Sequence, residues 1–191
     1  MREIVYFSKS AWTTGNFKDL MRAGRMDIVC HAIIMSFFVS NKLREDVKLH
    51  LFFYGKPDPP KHLELMPRIT EEFQISKKDI GGLIKRMLYK YKKDKKIEAF
   101  PGCFVEKLSL IQFIKGLKDK EVYVLDKKGE DIRKTNIKEN SIFILGDHEG
   151  LPKKELREIK KIVKKVSLGN VTYFSSQSIT ILNNELDRRN L

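Results

Sequence analysis

The feature that most constrains the fold of this chain is the regular alternation of short strands and helices in its last third. Three compact runs of β-branched and aromatic residues, typical of buried strands, are interleaved with segments of helical apolar spacing. The strands are predicted over 121–125, 141–145 and 163–168, and the helices over 153–162 and 175–189. Because parallel strands need a crossover connection, this alternation predicts an α/β fold with a mainly parallel sheet flanked by helices.

The earlier part of the chain fits the same layout. Strands are predicted over 3–8 and 47–54, from their β-branched and aromatic content. An apolar run over 28–39, which Asp27 is expected to cap, is too short to cross a bilayer, since a spanning helix needs about twenty residues. It predicts a buried helix and no membrane segment. With no linker, repeat or low-complexity tail, residues 1–191 are expected to form one domain.

Cellular compartment and metal content depend on a few residues. The N-terminal sequence MREIVYFSK lacks the basic, apolar and small-residue order of a signal peptide. Cys30 and Cys103 match neither a zinc pattern nor a dense disulfide framework. These features predict a reduced, cytoplasmic compartment. The adjacent side chains of the DHE segment at 147–149 diverge, and the other three histidines have no ligand-like spacing to it, so no metal site is expected.

Positive charge is the most informative feature of the composition, with a formal net charge of +13. Nine Lys and Arg over 77–96 stand against two Asp, and seven over 151–165 stand against two Glu. Such clusters attract polyanions by electrostatic steering and counterion release, which indicates nucleic acid. A solvated helix face in a Lys-rich chain gives the same pattern. The first cluster lies on a helix predicted over 76–95. The candidate contacts on this helix are Lys85, Arg86 and Lys90.

Ligands of open α/β sheets bind beyond the carboxyl ends of the strands, where this chain has three unusual loops. They lie at 125–126, at 145–152 with the sequence LGDHEGLP, and at 167–175 with the sequence SLGNVTYFS. The first strand runs into SKSAWTTGN rather than a G-x-G-x-x-G turn, which argues against a nicotinamide enzyme. Each glycine alone is also explained by a turn with positive φ, so the combination of loops carries the signal.

In their order along the chain, VYVLD, IFILGDHEGLP and KVSLGNVTYFSSQSITILNNELDR resemble the cofactor-binding end of the SPOUT RNA methyltransferases. More closely, the chain is similar to the archaeal tRNA pseudouridine-54 N1-methyltransferase family, including the segments GRMDIVCHAI and GKPDPP on the substrate side. The resemblance covers essentially the whole chain. It implies a homodimer and a deep trefoil knot, with a substrate-side part over about 1–118 and a knotted, cofactor-binding part over about 119–191.

The resemblance also implies a cofactor, S-adenosylmethionine (SAM), bound by the loops of the knot. The implied cofactor-binding residues are Leu125, Leu145, Gly146, Leu168, Gly169, Asn170, Val171, Thr172, Tyr173 and Ser178. Glycines suit this role, because backbone groups that hold adenine must approach it closely. Relatives often carry a cysteine where this sequence has Ser178, so a thiolate is not essential here. Ser178 is expected to contact the cofactor or to help cap the last helix.

The implied reaction is methylation of N1 of pseudouridine in tRNA, an in-line displacement that depends mainly on alignment. A carboxylate that accepts or orients the N1 proton would assist it. Asp58 in the GKPDPP loop is the candidate, although an Asp before a proline also simply forms a turn. Arg25 is the candidate clamp for an RNA phosphate. Two alternatives stay open: pseudouridine methylation in ribosomal RNA, and a non-catalytic RNA-binding protein.

Overall fold

The computed structural model describes residues 1–40, 42–66, 76–159 and 162–191. The strands in these ranges are β1 (Arg2–Ser8), β2 (Phe38–Val39), β3 (Lys42–Leu43), β4 (Val47–Phe53), β5 (Lys61–Leu65), β6 (Ile97–Phe100), β7 (Cys103–Glu106), β8 (Val122–Asp131), β9 (Ile142–Gly146) and β10 (Val163–Ser167). The helices are α1 (Met26–Phe37), α2 (Lys77–Lys90), α3 (Leu110–Gly116), α4 (Lys153–Ile159) and α5 (Ser175–Asp187).

Eight of these strands form one sheet in the order β10-β8-β9-β1-β4-β5-β7-β6. The five strands from β10 to β4 are mutually parallel, whereas β5, β7 and β6 are added in antiparallel pairings. The predicted α/β fold with a mainly parallel sheet is confirmed. The antiparallel edge was not predicted, because β5 follows directly on the proline-rich turn after β4.

Helices cover both faces of the sheet. Alternate residues of β1 point to opposite sides, as in any strand. Ile4 and Tyr6 pack in one apolar cluster with α1, α2 and α5, while Val5 and Phe7 pack in a second cluster with α3 and α4. The carboxyl ends of the parallel strands therefore meet at one edge, between two helical layers.

The start of α1 differs from the prediction. Arg25 precedes the helix in a left-handed conformation, with φ of 60°, and Asp27 lies inside the first turn. The prediction that Asp27 caps this helix is wrong. Its carboxylate instead accepts two hydrogen bonds of 3.0 Å from the Arg25 guanidinium.

Three predicted helices are shorter in the structure, one of them α5, which ends at Asp187 rather than at 189. The basic helix ends at Lys90 rather than near 95, because Tyr91 leaves helical geometry and its ring lies 4.1 Å from the Lys61 ammonium. Helix α4 ends at Ile159; of its predicted continuation, residues 160 and 161 lie outside the described residues and Ile162 is in a turn. None of the helices in the described ranges is long and apolar enough to cross a membrane.

Candidate functional site

A cleft of about 680 Å³ opens at the carboxyl end of β9 and beside residues 124–127 of β8, next to the start of α5. Leu125, Leu145 and Leu168 give it apolar walls, and the segment from Leu168 to Ser178 supplies much of its rim. Ligand pockets of α/β proteins are expected at this edge of the sheet.

Nine of the ten predicted cofactor-binding residues line this one cleft. They are Leu125, Leu145, Gly146, Leu168, Gly169, Val171, Thr172, Tyr173 and Ser178. Asn170 belongs to the same loop but is not among the residues that line the cleft. Sequence reasoning missed the other lining residues, which come from the flanks of the same loops and, for Ile28 and Leu156, from helices α1 and α4. These are Ile28, Val124, Asp126, Lys127, Asp147, His148, Gly150, Leu151, Leu156, Phe174, Ser175 and Gln177.

The loop after β9 is held tightly against the end of β1. The buried carboxylate of Asp147 accepts hydrogen bonds from the Ser8 hydroxyl (2.7 Å), the Lys9 backbone N–H (3.2 Å) and the Glu149 backbone N–H (2.8 Å). A Cβ at Gly146 would lie only 2.6 Å from the carbonyl carbon of Gly150, so the two strands of the loop touch at their backbones. Asp147 therefore fixes the shape of one wall of the cleft.

Strand β8 has a break in its pairing with its neighbours, and residues at this break line the cleft. It pairs with β9 only over Val122–Val124, and on its other side the register with β10 jumps, so that Val166 lies opposite Glu130. Residues 125–129 therefore leave the ladder, as in a large bulge. The sequence predicted a strand ending at Leu125; the strand instead continues to Asp131, and the bulge presents Leu125 and Asp126 to the cleft.

Ser178 lies in the first turn of α5 and lines the cleft. The helix begins after Phe174, whose backbone N–H donates to the side chain of Gln177 at 3.0 Å. The suggestion that Ser178 caps the helix is therefore wrong. Ser175, the first residue of α5, donates a hydrogen bond from its hydroxyl to the Gly146 carbonyl at 2.7 Å and thereby joins α5 to the loop after β9.

Asp58 does not line the cleft but belongs to the same edge of the sheet, because its loop follows β4, the parallel neighbour of β1. Its carboxylate accepts hydrogen bonds from the ammonium groups of Lys107 and Lys61, the latter at 2.6 Å. These hydrogen bonds, Lys107 first, lower the pKa of Asp58 to about 2. Its side chain is 51% exposed, so the anion is accessible at neutral pH.

The three residues of α2 that were predicted to contact RNA make interactions with other parts of the fold. The Lys85 ammonium donates to the Phe17 carbonyl at 2.9 Å, and the Lys90 ammonium donates to the Ala99 carbonyl at 2.6 Å. The guanidinium of Arg86 lies 5.4 Å from the Phe100 ring centroid. Arg25, at the start of α1, is paired with Asp27 and partly exposed.

Further exposed positive charge lies around both ends of α2. The lysines concerned are Lys77, Lys78, Lys92, Lys93 and Lys95. We call these the end lysines of α2. Each side chain is exposed, as are those of Arg86 and Lys90, whereas Lys85 is half-buried. The end lysines therefore extend the exposed positive surface of Arg86 and Lys90 that could meet a polyanion.

Comparison with known proteins places this site in a family. A family model described as "Putative SAM-dependent RNA methyltransferase" matches residues 1–191. The tRNA (pseudouridine(54)-N(1))-methyltransferase of Methanococcoides burtonii is 35% identical over 98% of this chain and 96% of its own length. Its counterpart in Pyrococcus abyssi is 34% identical over 98% of each chain.

A solved structure shares the fold. Nep1 of Archaeoglobus fulgidus, bound to S-adenosylhomocysteine, superimposes with a TM-score of 0.65 at 14% identity, covering 98% of this chain and 97% of the other. By its family model the chain belongs to the SAM-dependent RNA methyltransferases, and it shares the fold of this structure. Over its full length, the chain belongs to the family of tRNA (pseudouridine(54)-N(1))-methyltransferases.

Proposed function

We propose that this chain transfers the methyl group of SAM to N1 of pseudouridine 54 in tRNA and binds SAM in the cleft beside α5. The observation that carries the proposal is the convergence of nine implied cofactor-binding residues, from three separate loops, on that one cleft. A non-catalytic RNA-binding protein would have no need of such a cleft. The family to which the chain belongs supports the choice of tRNA over ribosomal RNA.

The lining of the cleft fits the cofactor chemically. Leu125, Leu145 and Leu168 offer apolar surface for an adenine ring, and the backbones of Gly146 and Gly169 offer close polar contacts. The hydroxyls of Thr172 and Ser178 lie on the same lining and suit the polar parts of the ligand. When bound, SAM supplies an electrophilic methyl group on a positively charged sulfur.

Methyl transfer would form a bond from N1 to the methyl carbon and break the bond from that carbon to the sulfur of SAM, which leaves as S-adenosylhomocysteine. The N1 proton is released and must go to an acceptor. A carboxylate with a pKa of about 2 is a weak base at neutral pH but a permanent hydrogen-bond acceptor. We therefore assign Asp58 the orientation of the N1–H group, with water as the final proton acceptor. The clamp by Lys61 and Lys107 holds the carboxylate in one position for this purpose.

RNA binding and assembly complete the proposal. Arg25 and the end lysines of α2 bind the phosphates of tRNA.

Three exposed apolar side chains, Val171, Tyr173 and Phe174, surround the mouth of the cleft, with Phe174 73% exposed. Exposed apolar groups of this kind mark association surfaces, and a second copy of the chain is their proposed cover. The C-terminal trefoil knot and the cytoplasmic location stay predictions of the sequence.

Substrate choice tests the proposal directly. The purified protein is incubated with methyl-labelled SAM and one tRNA prepared in two forms, with pseudouridine or with uridine at position 54. Label is expected only in the pseudouridine form, because uridine has no free N1–H. A pseudouridine-containing ribosomal RNA fragment serves as the competing substrate. Preferential labelling of that fragment, or equal labelling of both tRNA forms, would contradict the proposal.

A further inference from the structure

Three side chains on the antiparallel half of the sheet form a group apart from the cleft. They are His50 on β4 and His62 and Glu64 on β5, and one potential ligand atom from each lies within 4.8 Å of the others. The register of the two strands brings them together, since His50 lies opposite Glu64 and Phe52 lies opposite His62. Both imidazoles are buried, at 3% and 2% exposure.

The two imidazoles are hydrogen-bonded to each other and flanked by carboxylates. Nδ1 of His50 and Nε2 of His62 are 2.9 Å apart. The outer nitrogen of His62 lies 3.0 Å from a Glu106 oxygen, and the outer nitrogen of His50 lies 3.7 Å from a Glu3 oxygen. Glu3, His50, His62 and Glu106 thus form a row across four adjacent strands.

This row contains a conflict between hydrogen-bond donors and acceptors. A neutral imidazole has one N–H, so the pair has two, and the contact between the rings uses one of them. One N–H remains to face two carboxylates. As long as both imidazoles are neutral, a lone pair of one of them points at an anion in a buried setting, whichever tautomers form. Consistently, the outer nitrogen of His50 has no hydrogen-bond partner.

A divalent cation between the rings removes the conflict. We infer that His50, His62 and Glu64 bind one Zn²⁺ ion through Nδ1, Nε2 and a carboxylate oxygen. Both outer nitrogens then carry an N–H, and each donates to its own carboxylate, Glu3 or Glu106. Histidine ligands of zinc are held by second carboxylates in this way. Two imidazoles and one carboxylate are a common zinc ligand set, with water free to take the fourth position.

The surroundings permit such a site after small movements. Zinc binding replaces the hydrogen bond between the rings, so the two imidazoles must turn toward the ion. Phe113 of α3 packs against both rings, with centroids 4.6 Å and 5.5 Å away, and covers that side of the site. Glu64 now accepts a hydrogen bond from the Lys96 ammonium at 2.9 Å. Because Lys96 is 43% exposed, its side chain can move to solvent when Glu64 binds the ion.

To test the inference, ZnCl₂ is titrated into the full chain in the presence of a competing chromophoric chelator. Neither SAM nor RNA is present. One equivalent of Zn²⁺ is expected to bind and to raise the melting temperature. Glu64→Gln keeps the size of the side chain and removes its charge, and should weaken binding at least about tenfold. The matched control is His31→Gln, which removes a histidine outside the group and should leave binding unchanged.

A second measurement does not depend on any variant. On addition of ZnCl₂ to the ¹⁵N-labelled wild-type chain, the imidazole signals of His50 and His62 should shift, and those of His31 and His148 should not. Absence of stoichiometric binding, equal affinity in Glu64→Gln, or shifts confined to His31 and His148 would each overturn the inference. Because no cofactor or RNA is used, failure here leaves the proposed methyl transfer untouched.

Discussion

At the scale of single residues, the carboxylate of Asp58 is clamped by two lysines, and its removal should affect catalysis rather than folding. Asp58→Asn keeps the size and removes the charge, so single-turnover methylation should fall by roughly 10²-fold, the usual scale for a lost acid–base or orienting group. Melting temperature and SAM affinity should barely change. The control is Asp119→Asn, the same change at an exposed residue with φ of 57°, which asparagine tolerates. An Asp58→Asn variant with full activity would show that the carboxylate of Asp58 has no role in the reaction.

The pH dependence of the rate separates the two possible roles of this carboxylate. Hydrogen bonds from Lys107 and Lys61 depress the pKa of Asp58 to about 2, so the group stays ionised until the pH falls toward that value. Any stabilising effect of the clamp is likewise present at neutral pH and disappears only in strong acid. Single-turnover rates should therefore show no inflection from this carboxylate between about pH 5 and pH 8. An inflection in that range that disappears in Asp58→Asn would instead indicate a general base.

Cofactor binding is best tested at Thr172, which is exposed on the lining of the cleft. Gly146 is a poor site for such a test, because any side chain there meets the backbone of Gly150. Thr172→Tyr fills part of the cleft and should weaken SAM binding at least about tenfold in calorimetry, the equivalent of about 1.4 kcal/mol. Thr180→Tyr, an exposed position further along α5, should leave the affinity unchanged. Equal affinities would locate the cofactor elsewhere.

At the scale of elements, Lys85 and Lys90 of α2 make hydrogen bonds within the fold, whereas the end lysines are exposed at and beyond the two ends of the helix. Reversal of Lys92, Lys93 and Lys95 to glutamate should weaken tRNA binding and reduce its salt slope by roughly one for each phosphate that is no longer neutralised. Reversal of Lys90 should instead lower stability, because its hydrogen bond to the Ala99 carbonyl can no longer form. The comparison set is Lys153, Lys154 and Arg157 on α4. If only that set alters RNA binding, the docking face is on the other side of the sheet.

Some of the strands and helices can be predicted from the sequence, and others cannot. The sequence pattern predicts β1, β4, β9, β10 and the positions of α1, α2, α4 and α5, because each of these elements buries apolar residues at a regular spacing or in a continuous run. It misses the antiparallel edge, where β5 follows a cluster of prolines, and it misses the bulge at 125–129. Both depend on which strands become neighbours, and spacing along one segment carries no such information. For the same reason, the proximity of His50 to His62 is visible only once β4 and β5 are paired.

At the scale of the whole molecule, the exposed apolar side chains beside the cleft predict a dimer. Replacing Val171 and Phe174, which are 61% and 73% exposed, with glutamate puts charges where a second copy would pack. The variant should sediment as a monomer while the unchanged protein sediments as a dimer. Ile162→Glu, at another exposed apolar residue, is the control. A wild-type monomer at micromolar concentration would exclude a stable dimer.

Hydrogen bonds around the end of β1 join the loop after β9, which lines the cleft proposed for SAM, to the loop of Asp58, which is proposed to contact tRNA. Asp147, in the loop after β9, is bonded to Ser8 and Lys9, and the chain that follows bonds through Ala11 to Gly55 in the loop of Asp58. A ligand that stiffens one of these loops lowers the conformational entropy that remains to be given up when the other is engaged. Thermodynamic linkage makes the effect mutual. If bound SAM raises the affinity for tRNA by some factor, bound tRNA raises the affinity for SAM by the same factor. The enzyme would thus retain its methyl donor most firmly when an acceptor is in place.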